Sequence, residues 1–462
     1  MSSFDPQQIA DWTGGSWLEE PKVAIEGFCF DARQIKPGQC FVAFSLGARD
    51  GHEFIEQAVK GGAVAAIVET SKSIALPQLK VADSLVALGT IGAAVRSKFS
   101  MPVVGITGSC GKTSTKEMLR CLLGQDRTHA TAGNWNNRIG VPMTLLGLDS
   151  SQHDFAVIEA GINQPEEMRQ LGQMIQADLI VLTNIEAAHL ELLGSLEGIA
   201  TEKSLLAVQA KPDSPIILTA DTLRYYAYKK LAHRAIVLLP EGIAAPDLPC
   251  KQIVRYNISE KIEDRGANLL PKLFHEITID GQKYPIASPS LGIAANTALA
   301  IVAAKYFGII ESEILERIEA WRPSDNRGCI ETFGKQTFYI DCYNANPSSM
   351  ADALNAFVRN TSQGIARFYI LGAMDELGTA AIAQHEAIGS LLKLRPEDRV
   401  AFVGPKELTE AYASAISAQQ YIRADSVEKI KSTIAQFQGA IFLTRLKSYF
   451  LPEISITILN SS

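Results

Sequence analysis

The sequence predicts an α/β fold class, and three observations point to it. Short apolar runs alternate with amphipathic helical stretches along most of the chain. One apolar run leads into a glycine-bearing loop, and a helix opens at Lys112. At about 150 residues per domain, 462 residues leave room for several such units.

Composition narrows the class further. Hydrophobic residues make up 47% and charged residues 20%, which is ordinary for a globular chain and too apolar for a disordered one. The formal net charge is −7, with no long basic block, which argues against nucleic acid or an anionic membrane as the main partner. No apolar run reaches membrane-span length; the longest candidate, residues 292–304, is too short and carries Asn296. The opening MSSFDPQQIADW has neither a basic stretch nor an apolar core of the secretory kind. Seven cysteines, odd in number and without a Cys-x-x-Cys pair, support neither a disulfide scaffold nor a zinc site. A cytoplasmic, multidomain enzyme, expected to be a monomer, is the class that remains.

Taken in order, residues 40–44 and 64–68 read as buried strands. Residues 53–60 between them have helical spacing, and Gly61-Gly62 supplies a stop. Residues 84–99 read as a helix. From about 102 to 323 the pattern is strand, loop, helix, repeated. Strands are expected at 103–107, 155–159, 179–183 and 216–219, and helices at 112–123, 166–176, 196–208 and 296–306. That alternation predicts a mostly parallel, doubly wound sheet, with ligands at the carboxyl ends of its strands. After Trp321-Arg-Pro-Ser-Asp325 a third unit follows: a β stretch at 329–341, then helix 348–358, strand 367–371, helix 380–392 and strand 400–403. Expected domains are therefore 1–99, 100–323 and 324–462.

The sharpest local signal is Gly105-Ile-Thr-Gly-Ser-Cys-Gly-Lys-Thr-Ser-Thr115. Gly108 and Gly111 let the backbone N–H groups of residues 108–112 turn toward a phosphate chain, with Ser109, Cys110 and Ser114 beside it. The helix N-terminus adds positive potential, Lys112 reaches outer phosphates, and the Thr113 hydroxyl suits Mg²⁺. Ile106 stands where the usual spacing has its first glycine. The bland alternative is a glycine-rich turn with a solvated lysine; the succession of strand, Gly-Lys-Thr and helix favours nucleotide phosphate.

Three further places carry polar groups that a core would not choose. Glu159 ends a buried strand, where a carboxylate suits Mg²⁺. Asn184 and His189 follow the next strand, and Lys203 lies on the helix after that. Asn134-Trp-Asn-Asn137 forms a loop in which ligand hydrogen bonding competes with simple turn formation. Each is weak alone, since strand-end acids, lone histidines and solvated lysines are common; their shared placement strengthens all of them.

Several strings resemble the Mur ligases, the ATP-dependent amide-forming ligases of peptidoglycan precursor synthesis. They are Ile-Thr-Gly-Ser-Cys-Gly-Lys-Thr-Ser-Thr115, Asn134-Trp-Asn-Asn-Arg-Ile-Gly-Val-Pro142, Glu159-Ala-Gly-Ile-Asn-Gln-Pro165, Thr183-Asn-Ile-Glu-Ala-Ala-His-Leu190, Lys203 and Asp341-Cys-Tyr-Asn-Ala-Asn-Pro-Ser-Ser-Met350. Tyr343-Asn-Ala-Asn-Pro347, and Asn137 running into Ile-Gly-Val-Pro142, are most similar to members that add D-alanyl-D-alanine. Phe30-Asp-Ala-Arg-Gln-Ile-Lys-Pro-Gly38 and Gly47-Ala-Arg-Asp-Gly-His52 fit the family's uridine-nucleotide domain.

The resemblance implies three domains: a small N-terminal α/β domain for a UDP substrate, a central P-loop domain and a Rossmann-like C-terminal domain. It implies ATP, UDP-muramoyl tripeptide and D-alanyl-D-alanine as small-molecule substrates, joined through an acyl phosphate. By the same resemblance, Thr113 and Glu159 bind one Mg²⁺, while His189 and a carbamylated Lys203 serve a second. Asn134, Asn137, Asn184, Asn344 and Asn346 would hold substrate or phosphate oxygens. Arg327 and Asp341 would meet the nucleotide from the C-terminal domain, and Asp31, Arg33, Asp50 and His52 the UDP substrate. Lys112, His189 and Lys203 would be catalytic.

The chain departs from the family pattern at several points. Gly292-Ile293 replaces the usual His-Asn, removing the adenine-contacting asparagine. Asp31-Ala-Arg33 loses a hydroxyl, Gly372-Ala-Met374 loses an acid, Lys203-Ser-Leu205 replaces Lys-Gly-Glu, and Leu443-Thr-Arg-Leu-Lys-Ser448 replaces Lys-Gly-Ser-Arg. One lost neutral hydrogen bond costs about 0.5–1.5 kcal/mol, so an active but divergent ligase is expected. The alternatives are a Mur ligase adding a single amino or diamino acid, a non-catalytic nucleotide-binding relative, and a small-molecule kinase, which leaves the N-terminal domain without a role.

Overall fold

The structure is a computed structural model that describes residues 3–47, 49–187, 190–263, 272–323, 327–341, 345–414, 416 and 421–444. It forms two compact units. The first comprises Met1–Thr107, Leu123–Ile180 and Glu202–Pro215, and the second Gly108–Leu122, Val181–Thr201 and Ile216–Ser462.

In the first unit, four parallel strands lie in the order Gln78–Lys80, Ala65–Val68, Gln39–Val42, Gly27–Cys29, with Ser16–Trp17 antiparallel at the edge. The period of two sorts the Gln39–Val42 strand and its continuation. Cys40 and Val42 join one apolar cluster with Phe28, Leu88 and Ile91, while Phe41 and Ala43 join another with Ile55 and Ala58. The helix Ser84–Lys98 begins where Asp83 accepts from Val86 N.

A second parallel group in this unit places strand β1 (Val103–Thr107) beside strand β2 (Phe155–Glu159), which also pairs with Thr128–Ala130. All five residues of β1 are buried, as its unbroken apolar run requires. The register sets Glu159 beside Ile106, at the carboxyl end of both strands.

The second unit holds helix α1 (Lys112–Leu123) and the strands Ile216–Thr219, Ala235–Pro240 and Gln252–Glu263, parallel and adjacent in that order. Lys272–Ile279 and Gln282–Ile286 then extend them antiparallel, an addition to the mostly parallel expectation. Helix α2 (Leu291–Tyr306) starts five residues earlier than the apolar pattern suggested, because Ser290 accepts from Ile293 N and caps it.

The C-terminal sheet of this unit begins with the antiparallel pair β3 (Arg327–Phe333) and β4 (Gln336–Asp341). The parallel strands Gly439–Thr444, Arg367–Gly372, Arg399–Val403 and Tyr421–Ala424 follow in that order. Tyr339, Tyr369, Phe402 and Phe442 pack on one face, and Phe338, Ile340, Phe368, Ile370 and Ile441 on the other. Helix α3 (Pro347–Arg359) lies on the first face and contributes Met350, Leu354 and Phe357. Both faces are covered, so the strands read as continuous apolar runs.

Candidate active site

In the second unit, the loop after β1 is built around two glycines. Gly108 has φ of 152°, and a Cβ there would lie 1.8 Å from Thr183 Oγ1. Gly111 has φ of 77°, and its Cβ would lie 2.3 Å from Asn296 Nδ2. Only glycine fits either place.

Residues 183–186 hold the loop from beside it. Ser109 N donates to Asn184 O at 3.0 Å, and Cys110 N donates to Asn184 Oδ1 at 3.0 Å. Thr183 Oγ1 donates to Cys110 O at 2.5 Å. Ser109 Oγ donates to Glu186 O and accepts from Glu186 N, both at 2.9 Å. Asn184, expected at substrate, is thus a loop-holding residue in this structure, and its Nδ2 lies 2.9 Å from Cys110 Sγ. Burial pushes the Cys110 thiol up, so it is no nucleophile near neutrality.

Lys112 curls back over the loop, its Nζ donating to Gly108 O at 2.9 Å. Thr113, buried in the first turn of α1 with Ser114 next to it, accepts from Arg327 Nη2 at 3.0 Å. Arg327 starts β3 opposite Asp341 on β4. The second unit therefore gathers residues 108–113, Asn184, Arg327 and Asp341. Asn346 begins α3, where its Oδ1 accepts from Ser349 N at 2.9 Å.

The Asp341 carboxyl is pushed up to about 7, chiefly by burial; Arg327 pulls it down and Asp352 adds to the rise. Its folded-state value lies above the ordinary 3.8. The stability it contributes is therefore complete below about pH 4 and is lost as pH rises through about 7. Thermal melts across this range should show Asp341→Asn gaining on the wild type with rising pH, by on the order of 4 kcal/mol. A gap independent of pH would contradict the assignment.

In the first unit, Glu159 is 1% exposed at the end of β2. Its N donates to Thr131 Oγ1 at 2.9 Å, and its Oε1 accepts from Asn136 Nδ2 at 2.7 Å. Asn136 is a site residue that sequence reasoning missed, having picked the asparagines on either side. Asn137 instead accepts from Ile139 N and Gly140 N, at 3.1 and 3.0 Å, and so starts the short helix Gly140–Leu145. Asn134 is exposed. Trp135 packs on Phe30 with ring centroids 5.8 Å apart, and Phe30 stacks on Phe44, also at 5.8 Å. The loop 134–137 is thereby joined to the segment carrying Asp31.

Asp31 accepts from Arg33 Nε and Nη2 at 2.9 and 2.7 Å and is pulled down to about 2 by that pairing. The Arg33 guanidinium, 78% exposed, is held in a fixed direction facing solvent. Asp50 is likewise held at about 2, chiefly by the His52 backbone N–H. His52 is buried, and its Nε2 accepts from Glu69 N at 2.9 Å. The proton therefore sits on Nδ1, which donates to Asp50 Oδ1 at 2.6 Å. Both ring nitrogens are engaged within the unit.

Lys203, on the helix Leu196–Val208, is 1% exposed, unlike the solvated lysine its sequence surroundings suggest. His189, Asn344 and residues 445–448 lie outside the described residues. Beyond Asn136, the residues that sequence reading did not single out are Thr183, Glu186 and Asn296, all packed on the phosphate loop.

Comparison with known proteins agrees with this geometry. Residues 106–304 match the Mur ligase middle domain, and residues 329–442 match the Mur ligase glutamate ligase domain. The UDP-N-acetylmuramoyl-tripeptide--D-alanyl-D-alanine ligase of Escherichia coli K12 is 29% identical over 459 residues, covering 96% of both chains. The enzyme of that name from Buchnera aphidicola subsp. Acyrthosiphon pisum is 30% identical over 422 residues, covering 89% of this chain and 88% of its own. Among solved structures, MurF from Acinetobacter baumannii superposes with a TM-score of 0.83 at 27% identity, covering 100% of this chain and 99% of that one.

Proposed function

The chain belongs to the Mur ligase family, and we propose that it is the ATP-dependent ligase that joins D-alanyl-D-alanine to UDP-N-acetylmuramoyl-tripeptide in peptidoglycan precursor synthesis. The observation that carries this assignment is similarity across 96% of both chains to a ligase of that name. A fold match over the full length supports it. The division into domains 1–99, 100–323 and 324–462 belongs to the same proposal, as does action in the cytoplasm as a monomer.

The chemistry follows from what a carboxylate lacks. It is a poor acyl donor, because oxide would have to leave. A carboxylate oxygen of the tripeptide attacks the γ-phosphorus of ATP, the bond to the β-phosphate oxygen breaks, and ADP departs, leaving an acyl phosphate. The amine of D-alanyl-D-alanine then attacks the acyl carbon, phosphate leaves and the nitrogen gives up a proton.

Both partners of the first step are anions, so the site has to supply positive potential. The N-terminus of α1, reached through the turns at Gly108 and Gly111, would offer its free backbone N–H groups and positive potential to phosphate oxygens. Lys112, whose Nζ bonds Gly108 O in this structure, would turn to the γ-phosphate once ATP is bound, and Arg327 adds a second cation beside Thr113.

The donor groups that the family resemblance names are of the kind Mg²⁺ takes. The Thr113 hydroxyl and Glu159 carboxylate are hard oxygen donors, and Mg²⁺ takes its other ligands from water and substrate phosphates. A three-residue acidic or histidine cage is not needed, and none occurs among the described residues. Thr113 and Glu159 would hold one ion, and His189 with a carbamylated Lys203 the second. Bound Mg²⁺ would draw negative charge off the phosphate oxygens. Lys203 is buried, so the anionic carbamate of its modified form would need a bound cation beside it, which the second Mg²⁺ would supply. Asn136 holds the Glu159 carboxylate in one orientation.

The test is phosphate release from ATP with UDP-muramoyl tripeptide and a panel of amines. Release should require D-alanyl-D-alanine; release that requires a single diamino acid would overturn the acceptor assignment.

A further inference from the structure

We propose that Asp352, which takes no part in the chemistry above, is a positioning residue that sets the phosphate loop for ATP through helix α2. Asp352 lies on α3. Its Oδ2 accepts from Ser290 Oγ at 2.6 Å and its Oδ1 from Gly292 N at 3.3 Å. Ser290 Oγ in turn accepts from Ile293 N at 3.0 Å. A carboxylate from one helix thus completes the N-terminal cap of another, where free N–H groups and positive potential favour it.

Gly292 eases this approach. A Cβ there would lie 3.0 Å from Asp352 Oδ2, tighter than side chains ordinarily tolerate. The departure from the family pattern at Gly292 therefore coincides with an acceptor arriving from α3.

The link to the site is one helical turn long. Asn296 stands four residues beyond Gly292, on the same face of α2. Its amide packs on Gly111, so closely that a Cβ at Gly111 would lie 2.3 Å from Nδ2. Sliding or rotating α2 would move this amide against the last loop peptide before Lys112. Helix α3 therefore reaches residue 111 through Asp352 and α2.

This inference rests on the ATP-dependent reading above. The test is calorimetric titration of the full-length protein with ATP and Mg²⁺, alongside KM values for all three substrates. Asp352→Ala should weaken ATP about tenfold and leave KM for D-alanyl-D-alanine within about twofold. Asp352→Asn, which keeps an acceptor, should recover most of the affinity. Ser290→Ala should cost less, and the two effects should not add. An unchanged ATP affinity in folded Asp352→Ala, or equal weakening for all substrates, would overturn the proposal. Should Asp352→Ala not fold, unchanged ATP affinity in Ser290→Ala would do the same. A wild type that binds no ATP would instead sink the ATP-dependent reading.

Discussion

Replacing Lys112 by methionine should lower kcat/KM for ATP by about a thousandfold, with the melting temperature nearly unchanged. The magnitude follows from the charge removed. A unit charge about 4 Å from a phosphate oxygen, in surroundings of effective dielectric about 20, is worth about 4 kcal/mol, or three decades in rate. Methionine keeps most of the stem length and volume, so packing at the start of α1 survives. The fold itself gives up the Lys112 hydrogen bond to Gly108 O, worth about 1 kcal/mol. Phosphate release measured against ATP concentration, with a parallel thermal melt, checks both halves. A decrease of only about tenfold would remove Lys112 from the reacting centre.

Lys203→Ala should lower turnover at least about a hundredfold, and acetate or another short-chain carboxylate should restore part of it. The reason is volume as well as charge. Lys203 is 1% exposed, so alanine leaves a cavity where the Cγ, Cδ, Cε and Nζ atoms were, in which a small carboxylate can put an oxygen where the carbamate oxygen would be. Lys203→Met fills that space with an apolar chain and should be equally slow without any rescue. Wild-type turnover in either variant would take Lys203 out of the mechanism. Rescue of both would mean that the carboxylate acts elsewhere.

Much of the architecture was legible because burial on both faces of a parallel sheet writes itself as unbroken apolar runs. Strands at 103–107, 155–159 and 216–219 fall where those runs lie, and helix 112–123 falls where the 3.6-residue period does. The antiparallel strands Lys272–Ile279 and Gln282–Ile286 did not stand out, since strands buried on one face only mix polar and apolar residues and resemble loops. The early start of α2 was hidden for a related reason. Its first turn has no apolar stripe, and its start depends on a cap that a serine supplies and a distant aspartate completes.

At the candidate site, residue type and local order were enough for the phosphate loop. Glycine at 108 and 111, lysine at 112 and threonine at 113 are demands of backbone geometry and charge within one short segment. Partnerships between distant segments were not legible. Which asparagine of 134–137 meets Glu159, that Lys203 is buried, that Asn184 holds Cys110, and that both nitrogens of His52 are engaged all depend on where other segments come to rest. Hydrophobic period and turn chemistry act over a few residues and can be read one stretch at a time. Hydrogen-bond partners and burial arise only when remote stretches pack, and only the tertiary structure decides them.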